Sequence, residues 1–153
     1  MIGHLQTNKI NKALNIFNTI DSVDTLRLAK KLSKSPKPTK RSLPILLEIN
    51  TSGDKTKFGF DPLNDQEILE CLGLDEISVE GLMTLGPTSQ DKQATSEAFS
   101  LLRKTKESIN KQVNQEKKLT TLSMGMSNDF KLGIYQGSTM VRLGTALFGP
   151  RKQ

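Results

Sequence analysis

The chain reads as an α/β protein made of successive β/α units on a parallel sheet, and three observations predict this. Short apolar runs alternate with helix-period stretches from one end to the other. The best strand is continuous and apolar, as a strand covered on both faces should be. The length of 153 residues accommodates one domain but falls short of the roughly 250 residues of an eight-stranded β/α barrel. On that arithmetic alone the fold is an incomplete barrel or an open, doubly wound sheet.

The elements follow in order. A first strand is expected at Ile2 to Leu5, then a helix presenting Ile10, Ala13, Leu14 and Phe17 at i, i+3, i+4, i+7 spacing. Thr19-Ile20 reads as a short strand, and Ser22 or Asp24 as the cap of a helix whose apolar face is Leu28, Ala29 and Leu32. Lys34 to Arg41 mixes prolines and charges without period and reads as a surface loop. Leu43 to Asn50 is the strongest strand, and the polar Thr51 to Gly59 is a loop of functional length. A short helix at Asp65 to Leu72 precedes the strand Ser78 to Thr84, which runs into Gly86-Pro87. Ala94, Ala98, Leu101, Leu102, Thr105, Ile109 and Val113 mark the longest helix. Thr120 to Met124 is a strand entering Gly125, and Ser127-Asn128-Asp129 are N-cap types ahead of a helix at Leu132 to Tyr135 closed by Gly137. The last strand is Thr139 to Leu143, before the Gly144 to Gly149 turn. The expectation is six strands with five intervening helices, in one domain over residues 1–153.

Composition excludes several function classes. The net charge is +6, but the 22 basic residues are dispersed and do not interleave with aromatics, so charge gives no reason to expect nucleic acid. No apolar run approaches the roughly 20 residues that span a bilayer, and no signal-like segment opens the chain, so no membrane partner is expected. A lone cysteine, Cys71, and a lone histidine, His4, cannot build a structural zinc site, and such cysteine usage suits a reducing, cytoplasmic compartment.

Chemistry concentrates near the C-terminus. Two glycine-containing turns, Ser123 to Asp129 and Arg142 to Gly149, each follow a strand and can aim backbone N–H groups at an anion. The hydroxyls of Ser123, Ser127 and Thr145 add donors, and in β/α barrels the turns after the last two strands commonly hold phosphate. The same residue types also serve as ordinary capped turns.

At these residues the chain resembles the pyridoxal-phosphate homeostasis proteins, relatives in fold of the barrel domain of alanine racemase. The resemblance rests on Ile2 to Lys9, Asp21 to Asp24, Glu48 to Gly53 with Lys57 to Gly59, and Gly81 to Thr84. It is strongest in Leu122 to Asp129 and in Gly137 to Gly149. It implies a partial barrel of the alanine racemase N-terminal-domain type, about six of eight β/α units. It also implies that two units carrying the family's Schiff-base lysine are missing ahead of Met1, with Lys9 and Lys57 matching other family positions.

Carried over residue by residue, the resemblance implies pyridoxal 5′-phosphate as cofactor. Its phosphate would lie at Ser123, Gly125, Ser127, Gly144 and Thr145. Arg142 would stand at the pyridine nitrogen, where a permanent cation keeps the ring unprotonated. Asn50 and Met83 would line the ring pocket, and no catalytic residue is expected, His4 included. The implied function is cofactor carriage and homeostasis without turnover, impaired without the lysine segment, with apo forms of pyridoxal-phosphate enzymes as partners. The alternatives are an amino-acid racemase or decarboxylase of the same fold, or a non-functional fragment. Open sheet edges predict self-association.

Overall fold

In a computed structural model of the chain, residues 1–150 are described apart from Lys40, Lys55 and Gln90. Five strands form one sheet: β1 (Ile20–Val23), β2 (Leu43–Glu48), β3 (Ile77–Met83), β4 (Thr121–Met126) and β5 (Met140–Arg142). Every pairing is parallel and the spatial order is the chain order, so each connection must carry the chain back across the sheet. The return segments hold α1 (Ile10–Leu14) before the sheet, α2 (Leu26–Lys34), α3 (Asp65–Leu72), α4 (Lys92–Gln112) and α5 (Phe130–Tyr135), with a one-turn α6 (Thr145–Phe148) after β5. This is part of a β/α barrel. Because all strands run the same way, their C-terminal ends share one rim, and that rim carries the site.

The expected strand at Ile2 to Leu5 does not form. Met1 makes a ladder-like pair of bonds to the edge of β1, its amino group donating to the Thr19 carbonyl (2.7 Å) and its carbonyl accepting from the Asp21 N–H (2.8 Å). Gly3, at φ +108°, then turns the chain away, so the pairing ends there. Phe17 lies beyond the end of α1, and α2 is capped by Thr25, whose hydroxyl accepts from the Leu28 N–H, while neither Ser22 nor Asp24 caps it. Asp91 caps α4 by accepting from the Ala94 N–H at 2.6 Å.

Alternation along β2 separates two faces. Ile45 and Leu47, with Ile49 beyond the strand, join Leu28 and Leu32 of α2, Ile68 of α3, and Phe99, Leu102 and Ile109 of α4 in the buried core. Leu46 and Glu48 point to the other, inner face, where Met83 pairs with Glu48 and Ser123 pairs with Met83. Strand contact is close enough that a Cβ at Gly81 would lie 2.0 Å from the Thr121 carbonyl oxygen. Among the described residues, no helix is long and apolar enough to cross a membrane.

Candidate functional site

The C-terminal rim opens into a cleft of about 1220 Å³, bounded by the exits of β2, β3, β4 and β5. Its basic side chains are Lys57, Lys92, Lys131 and Arg142 and its acidic ones Glu48 and Asp129, a balance that favours an anionic ligand.

Arg142 is the best-anchored of these. Its Nη1 donates to the Ser123 carbonyl (2.9 Å) and hydroxyl (2.6 Å), and its Nη2 donates to the Thr84 carbonyl (2.7 Å). The side chain thus reaches from β5 across β4 to the end of β3. The Thr84 hydroxyl donates to the Ile49 carbonyl and bonds the Thr51 hydroxyl, both at 2.8 Å, which locks the β2 and β3 exits together beneath it. Burial depresses the Arg142 pKa and the nearby Asp129, Glu48 and Asp21 carboxylates oppose that shift. A guanidinium so placed stays charged.

The two C-terminal turns converge. The backbone N–H groups of Gly144 and Ala146 both donate to the Ser127 hydroxyl, at 3.2 and 3.1 Å. That gathers two N–H donors and one hydroxyl around a single point on the cleft wall. The Gly125 turn is set by its φ of +98°, where an added Cβ would also press on the Phe130 Cα at 2.9 Å.

Of the residues expected at the site, Asn50, Ser127, Arg142, Gly144 and Thr145 line the cleft. Ser123 is fully buried and meets the site through its bond to Arg142, while Met83 is buried at 1% exposure on the inner face. Asn50 is occupied with the loop after β2. Its Nδ2 donates to the carbonyls of Asp54 (2.8 Å) and Lys57 (3.3 Å), and its Oδ1 accepts from the Ser52 hydroxyl (2.9 Å). Lys57 then ties that loop to the β3 exit by donating to the Gly86 carbonyl at 2.9 Å.

Sequence reasoning left His4 without an acid partner and gave Glu48 no role. Asp24 supplies that partner: its Oδ2 lies 2.5 Å from His4 Nδ1, and the imidazole stacks on Phe58 with centroids 4.0 Å apart. Histidine and acid are 20 positions apart, and the edge pairing of Met1 with β1 and the bond from the Ser22 hydroxyl to the Gly3 carbonyl (2.7 Å) bring them together. Glu48 is 7% exposed and reaches the cleft. Burial, and then the neighbouring Asp24, push its pKa up, with Arg142 and His4 pulling the other way.

The model of the alanine racemase N-terminal domain matches residues 1–152. The chain belongs to the alanine racemase N-terminal-domain family. Within this family its curated relatives are pyridoxal phosphate homeostasis proteins, the group to which the sequence motifs also point. The Aquifex aeolicus protein is 38% identical over 99% of this chain, and the human protein 36% identical over 98%. The chain spans 66% of the Aquifex protein and 57% of the human one. Among solved structures, PipY of Synechococcus elongatus with PLP bound superposes with a TM-score of 0.86 at 33% identity, covering 97% of this chain and 69% of PipY. An alanine racemase from Clostridium difficile, 22% identical with a TM-score of 0.80 over 99% of this chain and 39% of its own length, shares the fold.

Proposed function

We propose that the cleft holds pyridoxal 5′-phosphate and that the protein carries or buffers this cofactor without turning over a substrate. The observation that carries the reading is the anchored Arg142 guanidinium beside the convergent donors of Ser127, Gly144 and Ala146. Those donors suit a phosphate, and the cationic balance of the cleft suits its charge. Among the described residues three protein bonds occupy Arg142, leaving Nε–H and an Nη2–H to donate to an acceptor such as a ring nitrogen. A pyridine nitrogen facing a fixed cation stays unprotonated.

When bound, the cofactor supplies an electrophilic aldehyde and a conjugated ring. The residues of this chain bind and orient it. A phosphate oxygen would replace the Ser127 hydroxyl as acceptor for the Gly144 and Ala146 N–H groups, with Ser127 and Thr145 turning their hydroxyls to it, while Asn50 and Lys57 hold the loop over one side and Arg142 fixes the ring edge. Support for the reading comes from PipY, solved with PLP bound, and from the homeostasis function named for the curated relatives. The only tyrosine, Tyr135, is 84% exposed on α5 and offers no second base inside the cleft. Apo-enzymes that use the cofactor are the acceptors this reading implies, and a cytoplasmic setting agrees with a free, buried Cys71.

The test is equilibrium binding of pyridoxine 5′-phosphate, which has the ring and phosphate but no aldehyde, to the full chain. Arg142→Ala should weaken it by roughly 10-fold or more, the loss expected for a hydrogen bond from a charged donor. An unchanged affinity would remove the assignment of Arg142, and no binding to the parent chain would remove the function.

A further inference from the structure

Basic residues occur along the whole chain, but their excess over acids does not. Residues 25–43 hold seven of the 22 lysines and arginines and none of the 16 aspartates and glutamates, so the rest of the chain sets 15 against 16 and the net charge of +6 resides in this one segment. Its first half is α2. Arg27, Lys30, Lys31 and Lys34 stand at i, i+3, i+4 and i+7, which puts all four on one face along about 10 Å of helix. That face is exposed, while Leu28, Ala29 and Leu32 on the opposite side are at most 1% exposed. With Leu26 and with Glu67 of α3, the four cations line a depression of about 460 Å³ that shares no residue with the cleft at the C-terminal rim.

Folding alone does not account for this face. Like charges at i, i+3 and i, i+4 repel, and the four residues make four such pairs. Lys31 and Lys34 lie in the last turn, where the helix dipole favours cations, but Arg27 lies in the first turn, where the dipole opposes it and no acid offsets it. Among the described residues one of the four has an acid within contact distance, Lys30 with Glu70 at 2.6 Å. We infer that α2 is a docking face for an acidic α-helix of a partner protein, whose carboxylates one turn apart meet Arg27, Lys31 and Lys34. Three features favour a protein helix over other polyanions. Residues 25–43 contain no aromatic side chain on which a base would stack. Glu67 lines the same depression and Glu70 holds Lys30, so a continuous phosphate backbone meets repulsion there that a surface of mixed charge answers. The apolar side of α2 is taken up by the core, which leaves nothing to insert into a lipid surface.

The probe is a labelled, alanine-based helical peptide with glutamates at i, i+3, i+4 and i+7, titrated with the full chain by fluorescence anisotropy. Binding should weaken steeply between about 50 and 300 mM salt. The combined substitutions Arg27→Gln, Lys31→Gln and Lys34→Gln should weaken it roughly 10-fold, the loss of three exposed ion pairs. Lys104→Gln, Lys111→Gln and Lys118→Gln together change the net charge identically at other exposed positions and should leave the affinity within about 2-fold. The α2 variant should melt at or above the parent midpoint, since it removes like-charge repulsion, so lost binding would not reflect lost folding. Absence of peptide binding, equal losses from the two triple variants, or equally tight binding of a thymidine oligonucleotide or of phosphatidylserine vesicles would overturn the inference. The cofactor reading stands or falls separately, on ligand binding in the cleft.

Discussion

Glu48 stores a stability cost that pH reveals. Its folded-state pKa is raised above the 4.5 of an exposed glutamate, so the folded state holds the proton more tightly than the unfolded chain does. The stability contributed by the protonated carboxyl is thus fully present below pH 4.5 and is lost as pH rises through the elevated folded value. Glu48→Gln should therefore stabilise the chain near neutral pH and lose that advantage at about pH 4, as read by urea melts at both. A difference independent of pH would mean that the carboxylate is better solvated than its burial indicates. Cys71 gives a second measurement: fully buried beside Glu70 and Glu67, its thiol is pushed up to about 12. It should resist disulfide reagents at neutral pH in the native chain and react at the rate of unfolding. At this scale the site was partly legible. Arg142 and the two glycine turns announce themselves because permanent charge and special backbone sit in short local motifs. The His4–Asp24 contact joins distant segments and leaves no periodic trace.

Elements were legible wherever burial imposed a period. The strands Leu43–Glu48 and Ile77–Met83 and the helix Lys92–Gln112 sit within a few residues of their expected positions because each has a face pressed into the core. The expected strand at Ile2 to Leu5 fails for a local reason. Its apolar run is short, Ile2 stays 53% exposed, and the positive φ of Gly3 takes the chain off the β1 edge after the single pairing at Met1. The caps of α2 and α4 show how the choice among adjacent polar residues is made, since Thr25 and Asp91 stand directly before the first helical residue. Asp91→Ala should cost about 1 kcal/mol in denaturant melts, from an orphaned Ala94 N–H. Asp91→Asn should recover most of that loss, and equal costs for the two would show that the side-chain bond is not what holds the helix start.

At the scale of the whole molecule, the sheet leaves two margins. Among the described residues the outer side of β1 carries the Met1 pairing and the bond from the Ser22 hydroxyl to the Gly3 carbonyl, and β5 pairs with β4 alone, with Met140, Leu147 and Phe148 exposed around it. Unpaired strand margins beside apolar side chains recruit other chains. Sedimentation at tens of micromolar should therefore show species larger than a monomer, and a charged substitution such as Met140→Lys should reduce them. A single monomeric boundary for the parent chain would show that these margins are adequately blunted as they stand. The barrel-like order of the strands was legible from strict alternation, because parallel neighbours demand a crossover segment between them. That the barrel stays open was legible as well, from a length of 153 residues that is too short for eight β/α units.

The placement of Tyr135 has an optical consequence. The chain has no tryptophan, and its one tyrosine sits on α5 at 84% exposure, mostly surrounded by solvent. The near-ultraviolet circular dichroism of the folded protein is therefore confined mainly to weak phenylalanine bands, from residues such as the buried Phe60 and Phe99, and its core holds no tryptophan or tyrosine to report packing. At wavelengths longer than the phenylalanine and tyrosine bands, any pyridine chromophore held rigidly against Arg142 would supply the dichroic signal, an induced band on a dark background that reads cleft occupancy without a label.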